Sequence, residues 1–327
     1  MRGRNLPGTS VGKCLGIVNQ DVCVPPLPLA EVSRISASVA RYDPSEEPCT
    51  DLGNARRFAR MFYERCRYVP ERKSWIVWDG ALWRQDPDGV AERYAKCVPE
   101  SIRVSAGLEF DEARRDMLLK WAKLSESQPR IQALLALAKT EPKIPLHETE
   151  LDQVPDLLCV RNGVVDLRTF TFREHEPGDY MTRMAGVSWE PGVTCPTWLQ
   201  FLRDVFQGNL DLGRYIKRVL GYTLTGDTRE HCMFILHGSG RNGKSTFLET
   251  LRELFGDYAR DTPPNTFASK RDSNAIRNDL ARLPGARFIT ASETDEGANL
   301  DLVAVKQLTG EDVITARFLH HEFFEYR

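Results

Sequence analysis

The sequence has no C-x-x-C pair among its eight cysteines and no histidine at zinc-finger distance from any of them, which argues against a zinc-organised fold. Those cysteines (Cys14, Cys23, Cys49, Cys66, Cys97, Cys159, Cys195 and Cys232) are scattered. The first residues, "MRGRNLPGTSVGKCLGIVNQ", hold no long apolar core of a secretory leader, so free thiols in a reducing cytoplasm are expected. No apolar run reaches the ~18 residues that a membrane span needs. Neither sign of charge dominates, with 44 Lys+Arg against 46 Asp+Glu, so the chain as a whole is not an electrostatic nucleic-acid binder. Any such role has to come from a local patch. Internal repeats and low-complexity tracts are missing too, which excludes a solenoid. The expectation is a soluble cytoplasmic protein with no membrane partner.

What is present is ordinary globular material, 41% hydrophobic and 28% charged over 327 residues, enough for two domains or one with appendages. Residues 1 to 50 read as a linker, with one short helix expected over Leu29 to Arg41 between prolines. Beyond it, Leu52, Ala55, Phe58, Phe62 and Cys66 recur at near-helical spacing and predict one apolar helix face. Arg56, Arg57, Arg60, Arg65 and Arg67 lie around the rest, and "SWIVWDGALW" predicts a hairpin turning at Asp79-Gly80. Basic side chains interleaved with Phe, Tyr and Trp can track single-stranded nucleic acid. The plainer reading, a solvated helix face beside a core hairpin, is the stronger of the two.

Residues 109 to 140 predict two helices broken near "SESQP", with Pro129 in a first turn after a serine cap. "DLLCVRNGVVDLRTFTFREH" predicts short strands turning at Asn162-Gly163, and the stretch from Trp198 to Leu224 is helical again. From Glu230 the character changes to α/β. A strand (Cys232 to Leu236), a glycine-rich loop and a helix (Ser245 to Phe255) come first; a helix in "SNAIRNDLARLPG" and a strand in "ARFITASE" follow. This alternation predicts a parallel sheet with crossover helices.

The chemistry concentrates in Gly238-Ser239-Gly240-Arg241-Asn242-Gly243-Lys244-Ser245, followed by Thr246, which satisfies G-x-x-x-x-G-K-[ST]. The glycines let a loop turn with its amides inward, making a concavity of N–H donors for phosphate oxygens. The following helix adds its N-terminal amides and positive dipole end. Lys244 then serves the β- and γ-phosphates and the Ser245 hydroxyl serves Mg²⁺. Such a loop needs an acidic residue at a neighbouring strand end to hold Mg²⁺ and orient water. Glu293, at the end of "ARFITASE", is the first choice, with Asp295 and Glu296 as alternatives. A capped strand end followed by a solvated acidic loop is the competing reading. Near the C-terminus, "VITARF" and "EFFEY" predict two strands joined through Leu319-His320-His321, where Lys306, Arg317 and the histidines could face a phosphate backbone.

Taken together, "TDLGNARRF", "RNGVVDLRT", "DYMTR", "CPTWLQFL", "YIKRVLGYTLTGDTREH", "GSGRNGKSTFLETL", "ITASETDEG" and "KQLTGEDVITARF" resemble the phage and plasmid primase-helicases with a superfamily 3 helicase core. The resemblance covers the chain from about residue 29 onward. It implies a primase-to-helicase joining segment in residues 1–50 and a mixed α+β N-terminal domain over 51–226. Residues 227–327 would then be an AAA+-type P-loop ATPase domain with a parallel sheet, incomplete at its C-terminus. It further implies ATP and Mg²⁺ as cofactors and a homo-oligomeric ring, usually a hexamer, that translocates single-stranded DNA in the cytoplasm beside other replication proteins. DNA contacts would come from Lys306, Arg317 and His320, and Lys244 and Glu293 would be catalytic. A sensor asparagine and an arginine finger follow in the family beyond the point matching Arg327, so this stretch alone is expected to hydrolyse ATP poorly. Glu311 stands where the family usually has a glycine. Two other readings are a DNA- or partner-binding module with a vestigial P-loop, and an AAA+-like ATPase without strand separation.

Overall fold

The computed structural model describes residue 30 and residues 47–238, 240–263, 266–267, 279–291, 301–310, 314–316 and 324–326. The helix expected over Leu29 to Arg41 lies outside them but for Ala30. The chain forms two compact units. One holds the described residues up to Trp78 together with Arg84–Glu148; the other holds Asp79–Trp83 and the chain from Thr149 onward.

In the first unit α1 (Asp51–Phe62) starts where the Thr50 hydroxyl accepts from the Gly53 amide (3.0 Å). Ala55 and Phe58 are fully buried on its inner face. Cys66 does not extend that face as a helical residue. The amide of Arg65 donates to Phe62 O, the chain turns, and Cys66 opens β1 (Cys66–Val69), from which its thiol reaches the same core. β2 (Ser74–Trp78) pairs antiparallel with β1 in the register Cys66↔Val77 to Val69↔Ser74. β3 (Trp83–Gln85) is the third strand of the sheet. In the Asp79–Trp83 segment that leads into it, which belongs to the other unit, Asp79 Oδ1 accepts from the amides of Ala81 and Leu82. α2 (Val90–Ala95) and α3 (Val98–Gly107) follow. α4 (Glu112–Ser125) and α5 (Gln128–Ala138) are the helices expected around "SESQP". Ser127 stands at the N-cap of α5, but its hydroxyl donates backward to Leu124 O (3.0 Å) and finishes α4 instead. At the centre, Asn54 is 1% exposed. Its Nδ2 donates to Ser125 Oγ (2.9 Å), and its Oδ1 accepts from Trp121 Nε1 (3.0 Å) and an Arg57 guanidinium N–H (3.3 Å).

In the second unit β4 (Leu157–Val160), β5 (Gly163–Asp166) and β6 (Thr171–Arg173) form an antiparallel sheet. Its first hairpin turns at Arg161-Asn162, one residue before the expected Asn162-Gly163, because Gly163 already pairs with Val160. The Asn162 amide exchanges two hydrogen bonds with the Trp189 backbone, which explains that residue's place in the turn. Helices α6 (Pro196–Val205), α7 (Leu210–Thr225) and α8 (Lys244–Phe255) follow. Leu158, Val160 and Val165 of the sheet share one core with Phe247, Leu251 and Phe255 of α8. β7 (Ala259–Thr262) and β8 (Phe288–Ala291) pair in parallel, Ala259↔Phe288 to Thr262↔Ala291. α9 (Leu302–Thr309) precedes β9 (Ile314–Ala316), which pairs antiparallel with β10 (Phe324–Tyr326), as expected for the last two strands.

The α/β class is therefore present, with the parallel sheet represented by the β7–β8 pair among the described residues. The strand expected over Cys232 to Leu236 is not formed. That segment carries no ladder, and its side chains are exposed, Ile235 at 71%. Apolar β-favouring residues make a strand only where a neighbouring strand takes up their amides and carbonyls. Of the helix expected in "SNAIRNDLARLPG", the described part is a single 3₁₀ turn at Leu280–Arg282.

Tyr258 shows how this unit is tied together. Its hydroxyl accepts from the Cys159 amide (3.3 Å) and donates to Arg183 O (3.1 Å). The Arg287 guanidinium lies 4.6 Å over its ring and donates to Leu224 O and Leu157 O. Burial pushes the phenol up from 10.0 to about 12 despite the nearby guanidinium. A folded value above the unfolded one means that this contribution is complete below pH ~10 and is lost as pH rises toward 12. Tyr258→Phe should cost about 1–3 kcal/mol at neutral pH by orphaning a buried amide. It should also flatten the alkaline fall in stability, which urea titrations across that pH window would show.

Candidate functional site

The loop between Gly238 and α8 is built by backbone conformations that its residues are suited to. Gly243 is the N-cap of α8 at φ +86°, in the left-handed region, and Arg241 also has positive φ (+60°). Gly243 is pressed against α6 as well. A Cβ there would lie 2.7 Å from Val205 Cγ1 and 3.2 Å from Phe201 Cε2. The support is itself rigid: Trp198 of α6 stacks on Phe201 (5.4 Å) and on Phe247 of α8 (5.6 Å, 20° between planes).

Helix α8 begins at Lys244, one residue before its expected start, and Phe247 N closes the first turn on Gly243 O. The N-cap glycine brings no side-chain acceptor to the first turn of α8. Lys244 Nζ donates to Gly238 O (2.8 Å) and Asn242 Oδ1 (3.0 Å), bridging the loop's beginning and end. Gly238, Gly240, Arg241, Asn242 and Gly243 lead directly into Lys244, Ser245 and Thr246 of the first turn of α8; Ser239 lies outside the described residues. A glycine cradle, a helix N-terminus and one ammonium suit a phosphate group in charge and donor count.

Farther along α8, Arg252 donates to Asp261 of β7 (3.0 Å) and to Thr290 Oγ1 of β8 (3.0 Å), fastening the helix to both parallel strands. Asp261, an acid that the sequence reading passed over, is taken up by this network and by Thr290. β8 ends at Ala291, so Glu293, Asp295 and Glu296 follow it closely in sequence but lie outside the described residues, as do Arg317, His320 and His321. Lys306 is exposed on α9. Among the described residues no three His, Cys, Asp or Glu side chains gather as a metal site, and no helix is long and apolar enough to cross a membrane. The residues shown fit the phosphates; a metal would be held by the Ser245 hydroxyl with an acid from beyond β8.

Residues 55–207 match the family model described as "D5 N terminal like". The protein named "Putative helicase L207/L206" of Acanthamoeba polyphaga mimivirus is 30% identical over 177 residues, which is 53% of this chain and 18% of the relative. "Putative helicase 184R" of Invertebrate iridescent virus 6 is 27% identical over 49% of this chain and 17% of its own length. "Putative primase C962R" of African swine fever virus is 26% identical over 53% and 19%. Over this stretch the chain is similar to viral proteins named as helicases and primases. It spans less than a fifth of the length of these curated relatives. The matched region runs from α1 to just past α6, the helix on which Gly243 rests.

Proposed function

We propose that the chain is the nucleotide-binding part of an ATP-dependent DNA helicase of the primase-helicase type, acting in viral or phage DNA replication. The observation that carries this reading is Gly243, left-handed and wedged against Phe201 and Val205 at the start of α8, beside a lysine that spans the loop. Backbone amides from Gly238 to Gly243 and the first turn of α8 hold the β- and γ-phosphates of ATP, and Lys244 neutralises them. Ser245 takes Mg²⁺ together with Glu293, which also orients the attacking water. Bound Mg²⁺·ATP supplies the phosphoryl group that is transferred. Single-stranded DNA runs past Lys306, Arg317 and His320 in a homo-oligomeric ring, as the family resemblance implies.

Calorimetric titration of an ATP analogue into the whole chain and into Lys244→Ala tests the nucleotide part. A lost charge-assisted hydrogen bond should weaken binding about tenfold or more. Wild-type affinity no better than that of the alanine variant overturns the assignment.

A further inference from the structure

The nucleotide reading leaves one surface of the first unit without a task. Three cations lie over tyrosine rings there: Lys143 Nζ at 4.5 Å and Arg67 Cζ at 5.6 Å from the Tyr63 centroid, and Lys139 Nζ at 4.8 Å from that of Tyr68. Tyr68 is the register partner of Trp75 across the β1–β2 ladder. Its ring meets the indole at 65°, and Phe58 meets it at 77°. Among the described residues no ring lies flat on Trp75. The indole is half-buried and lines a cavity of about 270 Å³, whose polar walls are Asp86, Glu92, Gln132 and Lys139.

This cavity is built rather than incidental. The Asp86 carboxylate is fixed at the start of α2, where its oxygens accept from the amides of Val90 and Ala91, both at 2.8 Å. Glu92 is held by Lys96 at 2.8 Å. Two carboxylates in the wall repel a phosphate but accept protons from an amino group, and the Gln132 amide can both donate and accept. The lysines have the opposite preference. A nucleotide is therefore sorted by polarity, with its base toward Trp75 and the carboxylates and its phosphates toward Lys139 and Lys143. Only an unpaired base presents the face and edge that this requires.

We propose that the cavity beside Trp75 takes one unpaired base of a single-stranded nucleic acid, preferring bases with an exocyclic amino group, with the adjoining phosphates on Lys139 and Lys143. The proposal is independent of the loop at Gly243 and is tested without nucleotide present. Fluorescence anisotropy of the whole chain with short labelled oligo-dA, oligo-dC and oligo-dT is the measurement. Oligo-dA and oligo-dC should bind more tightly than oligo-dT. Trp75→Leu should weaken oligo-dA binding about tenfold by removing the stacking surface, and Trp75→Phe should restore most of it. The double change Lys139→Gln with Lys143→Gln should lower the slope of log affinity against log salt by roughly 1.4. A folded Trp75→Leu variant that binds like wild type overturns the proposal. So does oligo-dT binding as tightly as oligo-dA, or a duplex competing as well as a single strand. If Trp75→Leu does not fold, the lysine pair decides, since neither belongs to the core: an unchanged salt slope overturns the proposal.

Discussion

Gly243→Val is expected to cost about 4 kcal/mol of stability and to abolish binding of ATP analogues. Two costs add. A β-branched residue held at φ +86° carries conformational strain of about 1–3 kcal/mol. Its Cβ, placed 2.7 Å from Val205 Cγ1, must also push α6 or α8 away, an overpacking cost of about 1–3 kcal/mol. Neither cost can be relieved locally, because Phe201 and Phe247 are already clamped by Trp198. Gly243→Ala keeps both costs in smaller measure, since it brings the Cβ but not the branch, and should fall between wild type and valine. Urea titration read by far-UV circular dichroism gives the stability, and titration calorimetry gives the binding. A valine variant as stable as wild type would show that the glycine is dispensable and that the loop does not need its left-handed cap.

Asn54→Leu is the second large effect. The change keeps the branched outline of the side chain, so it removes the polar hub without opening a cavity. It leaves Trp121 Nε1 without its acceptor and Ser125 Oγ without its donor in a site that water does not reach. Buried unsatisfied groups cost about 1–3 kcal/mol each, so a loss of about 4 kcal/mol is expected. Arg57 also donates to Pro48 O, and Arg130 sits 4.5 Å over the Trp121 ring while donating to Asp51. The loss should therefore spread to the start of α1. The urea midpoint should fall with an unchanged denaturant slope. A loss under about 1 kcal/mol would mean that the hub is replaceable by apolar packing.

Much of this architecture was legible in the residues, wherever a local rule applied. Asn162-Gly163 marked a turn to within one residue, since Gly163 proved to open the strand, and the asparagine proved to serve Trp189 as well. "SESQP" marked a break between helices, although the serine hydroxyl works for the preceding helix. The loop before α8 could be read from its glycines and lysine alone. What stayed hidden depended on distant neighbours. No spacing rule connects Val205 to Gly243, and nothing near Asn54 announces Trp121. Cys66 keeps the helical period of α1 yet faces the same core from a strand, since burial on one side does not reveal which backbone carries the side chain. Cys232 to Leu236 has the composition of a strand but lacks the ladder, a property of its neighbours rather than its own. α2 and α3 gave little periodic signal because they are short, entered through a left-handed Gly89 and separated near Cys97.

The shared core of β4, β5 and α8 has a practical meaning for anyone cutting this chain into pieces. The family match ends at residue 207, which invites a fragment that stops there. Such a fragment would keep Leu158, Val160 and Val165 but discard Phe247, Leu251 and Phe255, the side chains that cover them. It would also split the Trp198–Phe247 stack, leaving a bare indole on one product and a bare phenyl ring on the other. The border drawn by sequence kinship therefore runs through the middle of a cooperative folding block. By thermodynamic linkage, a ligand captured at the loop would raise the melting temperature of the β4–β5 hairpin along with that of the helix it touches.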